Sequence, residues 1–317
     1  MPRPRLIIDC DPGHDDAIAL ILAHRHAEVL GITTVSGNAP LDATTDNALM
    51  VTALLGANTP VHRGAAGPLV GEPAHAAAVH GESGLGGVER IDHQRQAASN
   101  DAVGFLLDAA DEALWVVAVG PLTNLALALE RDPAWGRRLA GISIMGGSTD
   151  IGNVTRVAEF NIFADPEAAA RVFDCGARLT MCGLNLTRQL RSNDALAERL
   201  RRAHSPLAQF AAQSFTDLHD RIEGLTGVRE AALHDPCAVL AVTHPELIET
   251  RSQAVSVELN GDLTRGMTVV DQRPRAGGSA AHAQRVANAP TANVAYTIDA
   301  DAAMAVVLEA LGVESDA

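Results

Sequence analysis

The chain alternates short, continuous apolar runs with longer stretches whose apolar residues recur at helical spacing. Leu6-Ile7-Ile8, Val29–Val35, Leu114–Val119, Ile142–Met145 and Leu179–Gly183 are of strand length and rich in aliphatic or β-branched residues. Runs without period-two alternation are what a parallel sheet buried on both faces requires. Between them, Ala17–Ala23, Leu41–Leu55 and Ala102–Ala113 read as helices, and Val61-His62 reads as a short strand. Asp165-Pro166-Glu167 opens a further helix, with Asp165 as N-cap and Pro166 at the first helical position. Strand, helix and strand within roughly 30 residues make a βαβ unit, whose crossover should be right-handed. Further on come two helical patterns in 194–223, a loop at 224–233 and an apolar helix at Cys237–Val242. Strands at Ala254–Leu259, Met267–Val270 and Val294–Ile298 follow, then a last helix at Ala302–Leu311. No linker or repeat interrupts this order, and the one low-complexity tract is an Ala/Gly-rich loop at 276–282.

Composition narrows the class. The 317 residues suffice for one large α/β domain or two small ones. Apolar residues make up 47% but aromatics only 3%, so the core must be aliphatic. A formal charge of −15 argues against nucleic acid or an anionic membrane as partner. Cys10, Cys175, Cys182 and Cys237 lack paired zinc spacing and read as reduced thiols of a cytoplasmic protein. The apolar run before Asp9 is too short for a signal peptide, and no run is long enough to span a bilayer.

Candidate chemistry concentrates where the first strand ends. Asp9, Asp11, Asp15 and Asp16 crowd around a Pro12-Gly13 turn, between that strand and an almost wholly apolar helix. In an open α/β sheet, ligands bind at the carboxyl ends of the strands. Carboxylates this close repel one another, and without compensating charge some must stay protonated. A helix N-terminus contributes about 0.3–1 kcal/mol per anion, too little for four. A hard cation with oxygen ligands, calcium or magnesium, supplies the rest. Asp9 and Asp11 share a strand face, and the two helical acids reach the same spot. No Lys or Ser follows the Gly, so this is not a phosphate-cradling loop. The bland alternative is helix capping plus solvated turn acids, but capping needs one such residue, not four.

The segment Asp-Cys-Asp-Pro-Gly-His-Asp-Asp-Ala, residues 9–17, resembles the N-terminal signature of the nucleoside hydrolases of the inosine-uridine-preferring type. Later segments extend the resemblance: Gly37-Asn38, His80-Gly81-Glu82-Ser83-Gly84-Leu85, Gly120-Pro121-Leu122-Thr123-Asn124, Met145-Gly146-Gly147, Gly152-Asn153, Ala158-Glu159-Phe160-Asn161-Ile162 and His234-Asp235-Pro236. It covers essentially the whole chain. It therefore implies a single domain over 1–317, with a Rossmann-like, open, mostly parallel sheet flanked by helices and the active site at the carboxyl ends of the strands.

The resemblance also implies roles. A calcium ion would be held by Asp11, Asp16, Asp235 and the backbone carbonyl of Val119. Asp11 would act as general base. Asp15, Asn38, Asn153, Glu159, Phe160 and Asn161 would line the ribonucleoside site, and Asp9 would support the ligand shell from behind. His234 and His80 are the candidates to assist the departing base. His14 reads as structural and His75 as a surface residue. The resemblance further implies a homodimer or homotetramer. From the residues alone, Asn38 is equally a turn residue, and the polar groups of 153–161 read first as ordinary loop polarity; the resemblance reverses this. Where the family has Asp, Asn185 stands here, removing one negative charge near the sheet edge. Segment 217–232, where relatives place base-contacting groups, offers His219, Arg221 and Arg229 but no aromatic, and Trp115 and Tyr296 fall in strand patterns. The preferred base is therefore open.

The expected reaction is hydrolysis of the N-glycosidic bond of ribonucleosides through a cation-like sugar. Two rivals remain. A haloacid-dehalogenase-like phosphatase also begins with a strand and Asp-x-Asp, but position 13 is Gly and no matching Lys follows. A non-catalytic nucleoside- or sugar-binding protein could use the same scaffold.

Overall fold

The computed structural model describes residues 3–273 and 291–313, so the Ala/Gly-rich loop expected at 276–282 lies outside the described residues. The strands, in chain order, are β1 (Arg5–Cys10), β2 (Glu28–Thr34), β3 (Val61–Arg63), β4 (Leu114–Ala118), β5 (Gly141–Met145), β6 (Leu179–Cys182), β7 (Arg191–Asn193), β8 (Glu230–Ala232), β9 (Ile248–Val257), β10 (Thr268–Val270) and β11 (Thr291–Ile298). The first six helices are α1 (His14–His26), α2 (Leu41–Leu54), α3 (Ala77–His80), α4 (Ala102–Asp108), α5 (Thr123–Arg131) and α6 (Phe160–Ala164). The remainder are α7 (Pro166–Phe173), α8 (Leu184–Thr187), α9 (Asp194–Arg202), α10 (Pro206–Thr226), α11 (His234–Thr243) and α12 (Ala300–Ala310).

Nine strands form one sheet in the order β10-β9-β11-β6-β5-β4-β1-β2-β3. From β3 across to β11 every neighbouring pair is parallel, and β9 then runs antiparallel to both β11 and β10. Both faces are covered, which explains the unbroken apolar runs. Along β1, Leu6 and Ile8 point into one cluster with residues of α1, α2, α10 and α11, while Ile7 points into the other with residues of α4, α5 and α7. Helix α1 is buried from His14 to Ala23, which is why its sequence is apolar all round. No helix among the described residues is long and apolar enough to cross a membrane.

Local signals account for several helix ends. The Asp165 side chain caps α7 at the Ala168 N–H, with Pro166 at the first helical position as expected. Helix α10 starts at a Ser205 cap and Pro206 and stops at Gly227 in the left-handed region, φ +75°. Three expectations differ from what is observed. Helix α4 ends at Asp108 rather than Ala113, because Asp111 accepts the Ala113 N–H at 2.8 Å in a local turn and pairs with Arg5 at 2.6 Å. The expected loop at 224–233 contains the last turn of α10 and strand β8, which pairs antiparallel with β7. Strand β9 begins at Ile248, earlier than its apolar residues suggest, because its first half carries mostly exposed polar side chains.

Candidate active site

Strand β1 lies between β2, next in the chain, and β4, reached only after β3. Strand order reverses there, and such a switch point opens a crevice at the carboxyl ends. Asp11 follows β1, Val119 follows β4, and the Ser36-Gly37-Asn38 turn follows β2. The three ends are tied together by Val119 N–H to Asp9 O at 2.8 Å and Val35 N–H to Cys10 O at 3.0 Å.

The Asp11 carboxylate is wholly buried. Its Oδ2 accepts the Asn38 N–H at 2.6 Å. A Cβ at Gly37 or Gly120 would run into this carboxylate, so both positions need glycine for close approach. Asp16, at the start of α1, accepts the Asp11 N–H at 3.2 Å, the Gly13 N–H at 2.9 Å and Asn38 Nδ2 at 3.0 Å. Asp235, in the first turn of α11, completes the group: carboxylate oxygens of Asp15, Asp16 and Asp235 lie within 4.8 Å of one another. Asp9 sits behind, accepting Asn124 Nδ2 at 2.7 Å and the Thr33 hydroxyl at 2.5 Å on one oxygen.

Crowding without compensation shows in the electrostatics. Burial, then Asp16, pushes the Asp11 carboxyl well above its ordinary value. Burial, then Asp15 and Asp16, does the same to Asp235. Burial and then Asp15 raise Asp16 to about 6, and burial raises Asp9 to about 7. Oδ1 of Asp11 and Oδ2 of Asp9 are buried with no hydrogen-bond partner. A buried, unpartnered carboxylate oxygen is costly. An all-oxygen donor set with spare buried lone pairs fits a hard divalent cation. Among the described residues, the trio whose ligand oxygens lie within 4.8 Å of one another contains Asp15, whereas the sequence resemblance pointed to Asp11; Asp11 is linked to the cluster through Asp16.

Above the acids lies a cavity of about 420 Å³. It is lined by Asp15, Asn38, His80, Val119, Asn153, Glu159, Phe160, Asn161, His234 and Asp235, so ten of the expected site residues meet in one place; Asp11 and Asp16 lie beneath its floor. Glu159 caps α6 and accepts the N–H groups of Gly147, Asn161 and Ile162 at 2.8, 2.9 and 3.3 Å, which clamps the 147–162 loop; burial still raises its carboxyl to about 7. Asn161 Nδ2 donates to the Val119 carbonyl at 2.8 Å and the Met145 carbonyl at 3.1 Å, so part of the Val119 carbonyl's accepting capacity is engaged within the protein. Asn153 stands exposed at the rim and accepts the Phe160 N–H at 3.0 Å.

At the other end, His234 Nδ1 lies 2.7 Å from the Thr187 hydroxyl, and its backbone N–H donates to Asp15 at 3.2 Å. Burial lowers the His234 ring from its ordinary value, and burial together with His14 takes His80 down to about 3. Both rings are therefore neutral at pH 7, with one N–H each. The remaining wall is mostly aliphatic: Ala76, Val79, Met145 and Val154, with Ile222, Leu225 and Thr226 from the last turns of α10. Periodicity marked α10 as a helix but not which turn would face a ligand.

The charged groups of segment 217–232 do not line this cavity. His219 is buried against Ser192 and Asp194, Arg221 pairs with Asp217, and Arg229 pairs with Asp194, Asp220 and Glu223. His75 is exposed, touching the Gly37 carbonyl at 3.0 Å. Asn185 also stands outside, donating to the Ala295 carbonyl at 2.9 Å and accepting the Thr149 N–H at 3.3 Å. An Asp there could only accept, so the amide serves local bonding.

Comparisons with known proteins agree with this geometry. Residues 6–305 match the family described as inosine-uridine preferring nucleoside hydrolase. A pyrimidine-specific ribonucleoside hydrolase, RihA, of Shewanella sp. (strain ANA-3) is 42% identical over 280 residues, 86% of this chain and 87% of that protein. Among solved structures, the plant nucleoside hydrolase PpNRh1 superposes with a TM-score of 0.89 at 30% identity, covering 98% of this chain and 99% of its own. A purine-preferring ribonucleoside hydrolase from Gardnerella vaginalis does so with a TM-score of 0.88 at 30% identity, covering 97% and 98%. These likenesses disfavour the phosphatase and the non-catalytic binding protein. The chain belongs to the inosine-uridine preferring nucleoside hydrolase family and is an N-glycosidase that hydrolyses ribonucleosides.

Proposed function

We propose that this enzyme is a calcium-dependent hydrolase of pyrimidine ribonucleosides, releasing ribose and the free base. The observation that carries the reading is the meeting of buried, uncompensated carboxylates at the switch point with the floor of a cavity that has two neutral histidines at its other end. Support for the base class comes from curated relatives named pyrimidine-specific at 42% identity.

Asp11, Asp16, Asp235 and the Val119 carbonyl would hold the cation, with Asp15 close enough to share it. When bound, calcium lowers the pKa of a coordinated water and accepts sugar hydroxyls. Asp11 takes a proton from the attacking water through Oδ1, the oxygen with no partner in the protein. General-base help of this kind contributes roughly 10²–10⁴-fold. Asp15 and Asn38 face the ribose from the acid side; Asn153, Glu159 and Asn161 face it from the 147–162 loop. Phe160 borders the sugar and excludes water. Charge accumulates on the base as the glycosidic bond breaks, and His234 and His80 present ring N–H groups to it. The aliphatic end of α10 packs against the base without an aromatic stack.

Ribose release by the purified protein from uridine, cytidine, inosine and adenosine in phosphate-free buffer, with and without a chelator, tests this. Release from the pyrimidine nucleosides that stops on chelation and returns with calcium supports it. Release that survives chelation overturns the metal role, and preferential release from inosine overturns the base class.

A further inference from the structure

A line of polar contacts leads from the base end of the cavity into the protein and ends in an ion pair that the chemistry above does not use. His80 enters the cavity from the last residue of α3. Its polar contacts among the described residues use Nδ1: the His14 backbone N–H at 3.4 Å and His14 Nδ1 at 3.1 Å. The two rings stack with centroids 5.3 Å apart. On its other edge, His14 Nε2 lies 3.0 Å from Asp217 Oδ2. A carboxylate only accepts, so His14 donates there. Asp217 is fixed in turn by Arg221 Nε at 2.6 Å and by the Gly87 N–H at 2.9 Å. Partial burial pushes the Asp217 carboxyl up, but hydrogen bonds from His14 and Arg221 outweigh it and hold the group well below the usual carboxylate range.

Packing leaves the line little freedom. His14 is wholly buried. A Cβ at Gly13 would strike His80 Nδ1, and one at Gly86 would strike the Asp217 carboxylate. The His14 backbone N–H donates to His80 Nδ1, so that nitrogen accepts and the one hydrogen of a neutral His80 ring lies on Nε2, the edge turned to the cavity.

We propose that Asp217 and His14 are positioning residues for glycosidic cleavage: Asp217 holds the His14 ring, and His14 holds His80 with Nε2 turned toward the departing base. This rests on the reading of His80 as a group that faces the leaving base. Asp217 touches neither substrate nor cation and acts through two rings.

The test compares two substrates in calcium-containing buffer: uridine, whose base needs help to leave, and 4-nitrophenyl β-ribofuranoside, whose phenolate leaves unaided. The readout is the ratio of kcat on uridine to kcat on the nitrophenyl riboside, for wild type, Asp217→Ala, Asp217→Asn, His80→Ala and the His80→Ala/Asp217→Ala double variant. Thermal midpoints confirm folding, and Asp217→Asn serves by the same ratio should Asp217→Ala not fold. Asp217→Ala should lower the ratio about tenfold, a part of what a whole acid–base group contributes, and Asp217→Asn should lower it less. The double variant should be no worse than His80→Ala alone, since a residue that acts through another adds nothing once that residue is gone. Equal losses on both substrates, an unchanged ratio in Asp217→Ala, or additive losses in the double variant would overturn the proposal. An unchanged ratio in His80→Ala itself would instead remove the leaving-group role of His80 on which it stands.

Discussion

The two ends of the cavity are built in opposite ways. The acid end is made of strand termini and helix starts at the centre of a nine-stranded sheet, and Asp11, Asp15, Asp16 and Asp235 are all at most 5% exposed. Asp11 and Asp16 are tied to backbone N–H groups, and glycines close around Asp11. The base end is made of a helix terminus and a loop, where Leu225 is 57% and Val154 44% exposed. On the proposed reading, chemistry that depends on sub-ångström placement sits on the rigid sheet, whereas recognition of the base falls to surface elements that can vary without disturbing it.

If that contrast is right, damage at the acid end should be catastrophic and chemical. Asp11→Ala should lower kcat by about 10³-fold or more, with the far-ultraviolet circular dichroism unchanged. Turnover within a factor of ten of wild type would break the assignment.

His234, at the seam between the two ends, should show an intermediate effect. His234→Ala is expected to lower kcat on uridine by about 10²-fold. Thr187→Val, which removes only the hydroxyl 2.7 Å from Nδ1, should lower it less. A larger loss in Thr187→Val would mean that the helix start, rather than the ring, is at stake.

The acid end should also set how stability depends on pH. Folded-state values of about 7 for Asp9 and Glu159 and about 6 for Asp16 lie above the ordinary carboxyl range. Between the ordinary and the raised values the folded protein holds more protons than the unfolded chain. The stability these groups contribute is therefore full below about pH 4 and is lost as pH rises through 6 to 7. His80 and His234, whose rings burial lowers, act in the opposite sense up to the ordinary histidine value of 6.5, so the carboxylate loss should show above it: the thermal midpoint of metal-free protein should fall from pH 6.5 to pH 8, at roughly 2–4 °C per kcal/mol lost. Calcium should flatten the fall. A metal-free midpoint that rises over this range would contradict the assigned shifts.

The base end should respond least. Leu225→Ala should raise KM for uridine a few-fold, about 1 kcal/mol of apolar contact, and leave kcat near wild type. A loss in kcat that exceeds the change in KM would place that side chain nearer the chemistry than the cavity lining suggests.

Much of the acid end was legible because it is local in sequence. Asp9, Asp11, Asp15 and Asp16 fall within one strand–turn–helix unit, and strand geometry and helix position together send them to one sheet edge. The Asp165 cap and the apolar runs were legible for the same reason. Strand β9 was only half legible, since its exposed polar residues carry no apolar signature. Segment 217–232 does meet the cavity, but through Ile222, Leu225 and Thr226, while Arg221 and Arg229 are spent on ion pairs; residue type alone does not show which side chains of a helix end face inward.

By itself, the sequence determined the order of the nine main-sheet strands and of the longer helices between them, the acid cluster with its need for a hard cation, and the family. Each of these depends on neighbours along the chain or on a motif long enough to be specific. Only the tertiary structure decided that Asp217 meets His14 across 203 residues and that the His234 N–H reaches Asp15 across 219. It alone decided that the cavity wall away from the acids is mostly aliphatic. Such contacts are set by how α1, α10 and α11 pack against one another over the sheet, and no spacing within a segment encodes the distance between two segments.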